Sequence, residues 1–151
     1  MRTHISWIYV AVVLALVATL ATPGRTAAQD VPEFDVIVHP DNPVTSVTRN
    51  ELSQMFFKRT TRWKDGTLAL PVDLPRSLQV RDVFSRAVMN RAADAIAAHW
   101  QQQIFSGRGV PPTEFESELR VIQYVREHPG AIGYVAKGSD VSGVRILEIR
   151  P

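Results

Sequence analysis

The sequence predicts an α/β fold, a three-layer sandwich in which helices cover both faces of a mixed β-sheet. Three apolar segments carry the prediction. Residues 35–39 are a compact β-branched run, typical of a buried strand. Residues 68–72 form a second strand that feeds a proline-containing turn and an amphipathic helix. Residues 131–136 form a third strand directly after the helix breaker Pro129-Gly130. The segments between these strands have apolar residues at helical spacing, so strands and helices alternate along the chain, as is typical of α/β folds.

The first 28 residues have the organisation of a secretory signal peptide. Arg2 and His4 form the polar start, and residues 5–20 are almost wholly apolar. Thr22-Pro23-Gly24 then breaks the run before small residues that end at Ala28. An uncleaved membrane anchor is the alternative, but a short run with a breaker favours cleavage near Ala28. We therefore expect a periplasmic protein with one mature domain over residues 29–151.

Charge and cysteine content exclude several classes of protein. The 151-residue chain has 17 Lys and Arg and 15 Asp and Glu. Loss of Arg2 and Arg25 with the signal peptide leaves the two signs equal, so no nucleic-acid partner is expected. The chain has no cysteine, which excludes thiol catalysis and cysteine-based metal sites.

Catalytic motifs are absent as well. The sequence contains no HExxH motif, no Gly-x-Ser-x-Gly motif and no Walker loop. His39, His99 and His128 are isolated, and none of them pairs with another at ligand spacing on one helix. We expect neither an enzyme nor a bound metal or cofactor.

The stretch from Leu70 to Phe84 is the candidate functional segment. Pro71 and Pro75 prevent a helix from running through it, and Ser77 is a predicted N-cap for a helix that ends near residue 90. A strand–turn–helix junction directs backbone N–H groups and the positive end of the helix dipole at one point, where an oxyanion can bind. An ordinary capped helix start is the alternative.

A basic loop separates the first predicted helix from the second strand. That helix starts at Thr48, in a capping box with Glu51, and ends near Phe57. Residues 58–67 follow, with four cations in the first seven positions and Trp63 as a predicted buried anchor. Two interpretations remain open: a surface that attracts an anion or acidic partner, and a solvated loop.

Two more helices and a last strand, over residues 144–149, complete the prediction. One helix runs from about Ala92 to Phe105, and the other starts at Thr113 with Glu116 in a capping box. Helical spacing predicts that the inward-facing residues are Ile96, Ala97, Trp100, Ile104 and Phe105 in the first helix, and Leu119, Ile122 and Val125 in the second.

Several segments together resemble the substrate-binding component of phosphate ABC transporters, within the type II periplasmic binding-protein superfamily. They follow the family's order over residues 35–137. The segments are Asn50-Glu51-Leu52 with Met55-Phe56-Phe57-Lys58 and Trp63-Lys64-Asp65-Gly66, then Arg81 to Phe84, then His99-Trp100 with Ile104 to Gly109, and Val125 with Pro129-Gly130-Ala131-Ile132-Gly133-Tyr134-Val135. In that family the Pro-Gly-Ala-Ile-Gly-Tyr-Val segment is a reverse turn into a central strand, and its glycines fit positions of positive φ or close backbone approach.

The resemblance implies one lobe of a protein that normally clamps its anion between two. It also implies a phosphate loop of the form Arg-x-Asp-x-Ser-Gly-Thr, which is altered here. With Ser77 on the family's serine, Asp73 replaces the arginine and Arg76 precedes the serine. Leu78 and Gln79 replace the Gly-Thr pair. An acid at position 73 repels a dianion unless it is paired, for which Arg81 is the nearest candidate, or accepts a proton from a monoanion.

The expected ligand site therefore lies at the start of the helix near Ser77. Its candidate residues are Ser46, Asp73, Arg76, Ser77, Leu78, Gln79 and Arg81. Two functions remain open. The first is an exported module that binds phosphate or a related oxyanion, alone or across a dimer, for a membrane transporter or sensor. The second is a ligand-free module of the same fold that binds a membrane or signalling protein.

Overall fold

The computed structural model describes residues 33–151. The predicted signal peptide lies outside the described residues. Six strands and four helices follow one another in the order β1 Phe34–Val38, β2 Ser46–Thr48, α1 Arg49–Phe56, β3 Leu70–Asp73, α2 Gln79–Met89, α3 Ala93–Phe105, β4 Thr113–Glu114, α4 Glu118–Glu127, β5 Ala131–Ala136 and β6 Arg145–Arg150. Over these residues no helix has the length and apolar content needed to cross a membrane.

All six strands belong to one mixed sheet in the order β2-β6-β1-β5-β3-β4. Strand β1 is antiparallel to both β5 and β6, whereas β3 is parallel to β5 and β4. The strands predicted from the three apolar segments, β1, β5 and β3, lie side by side in this sheet, and the predicted last strand, β6, lies next to β1. The predicted mixed sheet is confirmed.

Strand β5 shows how helices cover both faces of the sheet. A Cβ atom on Gly133 would lie 2.5 Å from the Val121 side chain, so α4 packs directly against that face. The next residue, Tyr134, points the other way, because successive residues of a strand face opposite sides. Its ring stacks on Phe84 of α2 at a centroid distance of 3.8 Å. The three-layer arrangement follows from these opposed contacts.

A close backbone contact explains why the residue before β5, Gly130, is a glycine. A Cβ atom there would lie 2.1 Å from the Leu68 carbonyl oxygen, a distance that no side chain tolerates. The Gly130 carbonyl accepts hydrogen bonds from Leu70 N at 3.0 Å and from Trp63 Nε1 at 2.9 Å. The predicted anchoring role of Trp63 and the predicted close backbone approach of the glycine are both confirmed.

The start of α1 is as predicted, whereas the start of α2 differs. Thr48 Oγ1 accepts from Glu51 N, and Glu51 accepts from Thr48 N, which completes the capping box. Ser77, in contrast, is not the N-cap of α2. Leu78 occupies that position and no side chain caps the helix. The turn after Pro75 is one residue longer than the spacing of apolar residues indicates.

The prediction of a helix from Thr113 is wrong. Thr113 and Glu114 form the short strand β4 beside β3, and Phe115 N donates to Asp73 O at 2.9 Å. Helix α4 begins at Glu118, after the cap residue Ser117. Leu119, predicted to face inward, is 72% exposed. The buried face of α4 contains Val121, Ile122 and Val125, and residue 119 is about 200° around the helix from residue 121.

Phe105 is also misplaced by the sequence prediction. It is 90% exposed, while Ile96 and Trp100 of the same helix are buried. At about 100° per residue, Phe105 lies roughly 140° around the helix from Trp100, outside the buried face. Ile104 is also exposed, at the last turn of α3.

Candidate functional site

A cleft of about 500 Å³ opens at the start of α2, and we call it the α2 cleft. It lies between the end of β3, the exposed turn before α2, one side of α3 and the segment that leads into β4. Its lining residues are Asp73, Pro75, Arg76, Ser77, Arg81, Ala93, Ala97, Trp100, Gln101, Pro111, Pro112 and Glu114. Four of the seven predicted site residues, Asp73, Arg76, Ser77 and Arg81, meet in this cleft.

Asp73 and Arg81 form a buried ion pair at the inner end of the cleft. Arg81 Nη2 lies 2.8 Å from Asp73 Oδ2, and the two residues are 5% and 7% exposed. The sequence analysis names Arg81 as the nearest candidate to pair with an acid at position 73, and the structure confirms that pair. A second guanidinium nitrogen, Nη1, donates to Ser85 Oγ, so Arg81 is held from two sides.

Tyr134 completes the environment of the Asp73 carboxylate. Its hydroxyl donates to Asp73 Oδ1 at 2.5 Å, and Leu74 N donates to the same oxygen at 2.9 Å. Burial raises the pKa of Asp73, and the nearby Arg81 charge and these donors oppose that shift. Burial and the Asp73 charge raise the pKa of Tyr134 far above its usual range, so the phenol stays a donor.

Arg76 and Ser77 form the outer part of the cleft. Arg76 Nη1 lies 3.4 Å from Asp94 Oδ1 in the first turn of α3, and both side chains are exposed. The contact links the starts of α2 and α3. The Ser77 side chain is free of any capping role because α2 has no side-chain cap. Its hydroxyl is therefore available to a ligand.

The two predicted backbone donors, at Leu78 and Gln79, do not line the cleft. Leu78 N donates to Pro75 O at 3.0 Å, which closes the turn before α2. That N–H group is therefore already used within the protein. Gln79 is exposed as the first helical residue of α2. A ligand at the α2 cleft would depend on side chains and on the helix dipole more than the sequence suggested.

Ser46 is not part of this site. It begins β2, at the opposite edge of the sheet from β3 and β4. Three strands separate β2 from β3, which at the usual spacing amounts to roughly 19 Å. The turn after β1 therefore returns to β6 and does not approach the α2 cleft.

Two residues of the site were missed from the sequence. Tyr134 lies 61 positions after Asp73 and reaches it only because β5 is the neighbour of β3. Trp100 lines the cleft, and its indole Nε1 is buried without a hydrogen-bond partner within the described residues. Neither local spacing nor composition signals these contacts.

The charges around the α2 cleft are close to balanced. The positive charges of Arg76 and Arg81 are matched by Asp94 and Asp73, while Glu114 adds a further negative charge at the rim. Among residues 33–151 no group of three or more His, Asp or Glu side chains is arranged to hold a metal ion.

Comparison with known proteins identifies the fold. No family model matches the chain, and no curated protein matches it either. The solved structures include an ABC-type phosphate transport receptor from Vibrio cholerae, with a TM-score of 0.62, 20% identity and 78% of this chain covered. The chain has the fold of phosphate ABC transporter substrate-binding proteins.

Two more substrate-binding proteins show the same fold. A putative phosphate ABC transporter substrate-binding protein with bound phosphate from Clostridium perfringens has a TM-score of 0.62, 18% identity and 78% of this chain covered. PstS from Borrelia burgdorferi has a TM-score of 0.61, 16% identity and 79% coverage. The match covers only 46%, 45% and 47% of the three proteins, in the order given. The chain thus spans less than half the length of these substrate-binding proteins.

Proposed function

We propose that this chain is an exported, periplasmic solute-binding module that binds phosphate or a related oxyanion at the α2 cleft. We further propose that it serves an ABC transporter or a sensing system. The observation that carries the proposal is the uncapped start of α2, beside which Arg76 and Ser77 line the cleft. The similarity in fold to phosphate-binding transport proteins supports the same ligand class.

An uncapped helix start favours an anion for two reasons. The backbone N–H groups of a first helical turn have no intrahelical partner, and the helix dipole places partial positive charge there. A serine hydroxyl and an arginine side chain add donors suited to an oxyanion. At the start of α2 the helix dipole, the Ser77 hydroxyl and the Arg76 side chain meet at a cleft with room for an ion and its water shell, while the Leu78 N–H group is used within the turn.

The Asp73–Arg81 pair determines which oxyanions are favoured. Because Asp73 already neutralises Arg81, the guanidinium offers an incoming anion little net attraction. A doubly charged anion would also be repelled by the Asp73 and Glu114 carboxylates. We therefore expect weak binding, with a protonated monoanion preferred over a dianion.

Calorimetric titration tests the proposal. Protein purified from cells that express the full chain is titrated with phosphate and with sulfate at fixed salt. Ser77→Ala and Arg76→Ala should each weaken phosphate binding by about ten- to a hundredfold, the equivalent of a charge-assisted hydrogen bond of roughly 1.5–3 kcal/mol. Arg150→Ala, an exposed change on β6 at the far side of the sheet, is the matched control and should bind as the wild type does.

Two results would contradict the proposed site or ligand. Phosphate binding that both cleft variants leave unchanged would place the site elsewhere. The absence of wild-type binding at millimolar phosphate would favour the second function, a ligand-free module that binds another protein. One observation favours that alternative: Phe105 is almost wholly exposed at the end of α3, where a large apolar ring gains nothing from folding.

A further inference from the structure

A second cleft, of about 460 Å³, lies on the other side of Trp100, and we call it the basic cleft. Three separate segments form it: the residues that follow α1, the C-terminal half of α3, and the loop that follows α3. Its lining residues are Phe57, Lys58, Arg59, His99, Trp100, Gln103, Arg108, Gly109 and Val110. Three of them are cations and none is an acid.

The cations of the basic cleft have no acidic partner in the part of the chain that the structure describes. Among the ion pairs of residues 33–151, none includes Lys58, Arg59 or Arg108. The other two cations of the predicted basic loop are engaged elsewhere. Lys64 Nζ lies 2.9 Å from Glu51, and Arg62 donates to the Gly66 carbonyl oxygen at 2.8 Å. The loop therefore divides into a part that does not line the cleft and a part that does. In the second part Lys58 Nζ donates to the Pro111 carbonyl oxygen at 3.5 Å and Arg59 lies 5.2 Å from the centre of the Phe57 ring, contacts that leave both charges without an acidic partner.

The backbone holds these cations at the cleft. Lys58 has a φ of 54°, a left-handed conformation that non-glycine residues seldom adopt. Arg59 N donates to Gln54 O at 2.9 Å, and Arg108 N donates to Gln103 O at 2.9 Å. Both arginines thus sit on closed turns at helix C-termini. Cations there also offset the negative end of the helix dipole, a role that affects stability alone.

Apolar and aromatic surface lies between the cations. The His99 ring contacts Phe57 on one side and Trp100 on the other, at centroid distances of 5.3 and 5.2 Å. Val110 lines the cleft and is largely exposed, and Phe105 is exposed two residues beyond Gln103. A small inorganic anion would gain nothing from contact with this apolar surface. A protein segment that carries both carboxylates and an apolar side chain would contact all of it.

We propose that the basic cleft binds an acidic segment of a partner protein, with its carboxylates on Lys58, Arg59 and Arg108 and an apolar side chain against Phe57 and Val110. Charge complementarity is the reason for this choice of partner, because the cleft has three unmatched cations and no acid of its own. The site is separate from the α2 cleft, so it does not depend on oxyanion binding there.

Fluorescence anisotropy tests the proposal with a labelled peptide of alternating Glu and Asp around one Phe and one Leu. The comparison peptide replaces every Glu and Asp by Gln and Asn. The full chain is expressed, and the purified protein should bind the acidic peptide at least tenfold more tightly than the neutral one. This preference should decline as salt increases.

Charge reversal identifies the site. Arg59→Glu and Arg108→Glu should each weaken binding of the acidic peptide at least tenfold, because each places a like charge opposite the peptide. Arg62→Glu lies on the same loop outside the cleft, makes the same charge change and should alter binding less than twofold. Circular dichroism and the melting temperature of each variant confirm that the fold is intact.

The proposal would be overturned by equal binding of the two peptides, by equal losses for Arg62→Glu and the cleft variants, or by lower melting temperatures with unchanged peptide binding. The last result would assign the arginines to helix-dipole stabilisation. Competition by inorganic phosphate at an equivalent ionic strength of chloride would identify a small-anion site and would also overturn it. Ser77→Ala should leave peptide binding unchanged, which separates this test from that of the α2 cleft.

Discussion

The α2 cleft and the basic cleft share Trp100 as a common wall, but they differ in whether their cations are paired with acids. In the α2 cleft each arginine has an acidic partner, and the inner pair is buried. In the basic cleft the cations are exposed and have no acidic partner among the described residues. The buried Asp73–Arg81 pair is part of the folded core, and the exposed Arg76 would share its charge between Asp94 and an anion. The cations of the basic cleft have no acidic partner among the described residues to compete with a ligand.

The difference matters for how binding is inferred from the fold. The α2 cleft lies at an uncapped helix start, where the helix dipole favours an anion, but an acid cancels its buried cation. The basic cleft has no counterpart in a recognised motif, but its electrostatic field is uncompensated. Position in the fold favours the first cleft for an oxyanion, and charge favours the second for an acidic partner.

The largest expected effect comes from removing the shared wall. Trp100→Ala should lower the free energy of unfolding by about 3–5 kcal/mol, because it leaves a large cavity between α3 and its neighbours. It should also weaken both phosphate and acidic-peptide binding. Urea unfolding and the two titrations measure this. Ala98→Gly, on the exposed side of the same helix, is the control and should cost only about 1 kcal/mol.

A loss of binding in one cleft only would show that the other cleft does not need the Trp100 side chain to bind its ligand. Unchanged stability would contradict its place in the core.

A smaller effect should distinguish the paired from the unpaired cations. Arg81→Met leaves Asp73 buried without its counterion and should cost about 2–3 kcal/mol, less than a fully orphaned charge because Tyr134 and Leu74 still donate to the carboxylate. Arg59→Met should change stability by less than about 0.5 kcal/mol. Urea unfolding of both variants at pH 7 makes the comparison.

The pH dependence of Arg81→Met has a definite sign. Burial raises the folded-state pKa of Asp73, and the variant lacks the charge that opposes this. A raised carboxyl pKa favours the protonated form, so the stability difference from wild type should be smallest below pH 3.8 and grow as the pH rises through the folded pKa. A difference that is independent of pH would mean that Asp73 does not titrate in the variant.

The sequence predicted the centre of the sheet better than its edges. Segments such as Ala131–Ala136 are long, apolar and bounded by breakers, so their type is clear. Strands β2 and β4 contain only three and two residues, too few to show a period, and both were missed. Their pairing depends on neighbouring strands that local sequence does not reveal.

In the candidate sites, contacts between residues close in sequence could likewise be predicted, whereas contacts between distant segments could not. The Asp73–Arg81 pair could be anticipated because its members lie eight positions apart across one turn. Tyr134 and the Arg108 side of the basic cleft could not, because tertiary folding brings them from distant segments. Helical spacing predicts burial of Phe105, but the end of α3 extends beyond the core and leaves the ring exposed.

The capping box of α1 offers a test of what stabilises the start of the helix that leads into Phe57 and Lys58 of the basic cleft. Glu51→Gln should cost about 1 kcal/mol at pH 7. The Thr48 backbone hydrogen bond, with help from Lys64, lowers the pKa of Glu51 from 4.5 to about 2. Its contribution is therefore complete above pH 4.5 and lost as the pH falls through about 2.

Urea unfolding at pH 7 and at pH 2 measures this effect, and the gap between wild type and Glu51→Gln should narrow at the lower pH. Glu148→Gln, on the exposed side of β6, controls for the loss of one carboxylate. A gap that widens in acid would mean that Glu51 does not act through its charged form.

The smallest effect should be a shift in the titration of His99 with no change in stability. Burial, followed by the charges of Arg91 and Arg59, lowers the pKa of His99. Arg59→Ala removes one of these charges without filling or emptying the core, so the pKa of His99 should rise, as measured by its NMR titration. Arg62→Ala, on the same loop but not among the charges that act on His99, should leave that pKa unchanged.

A rise of equal size in both variants would indicate a general change of surface charge, and no rise in Arg59→Ala would mean that solvent screens the arginine from the cleft. The predicted pattern, a rise in one variant only, would show that the positive potential of the basic cleft is local and reaches the imidazole between Phe57 and Trp100. That local potential is what an acidic segment would bind, and the paired cations of the α2 cleft do not provide it.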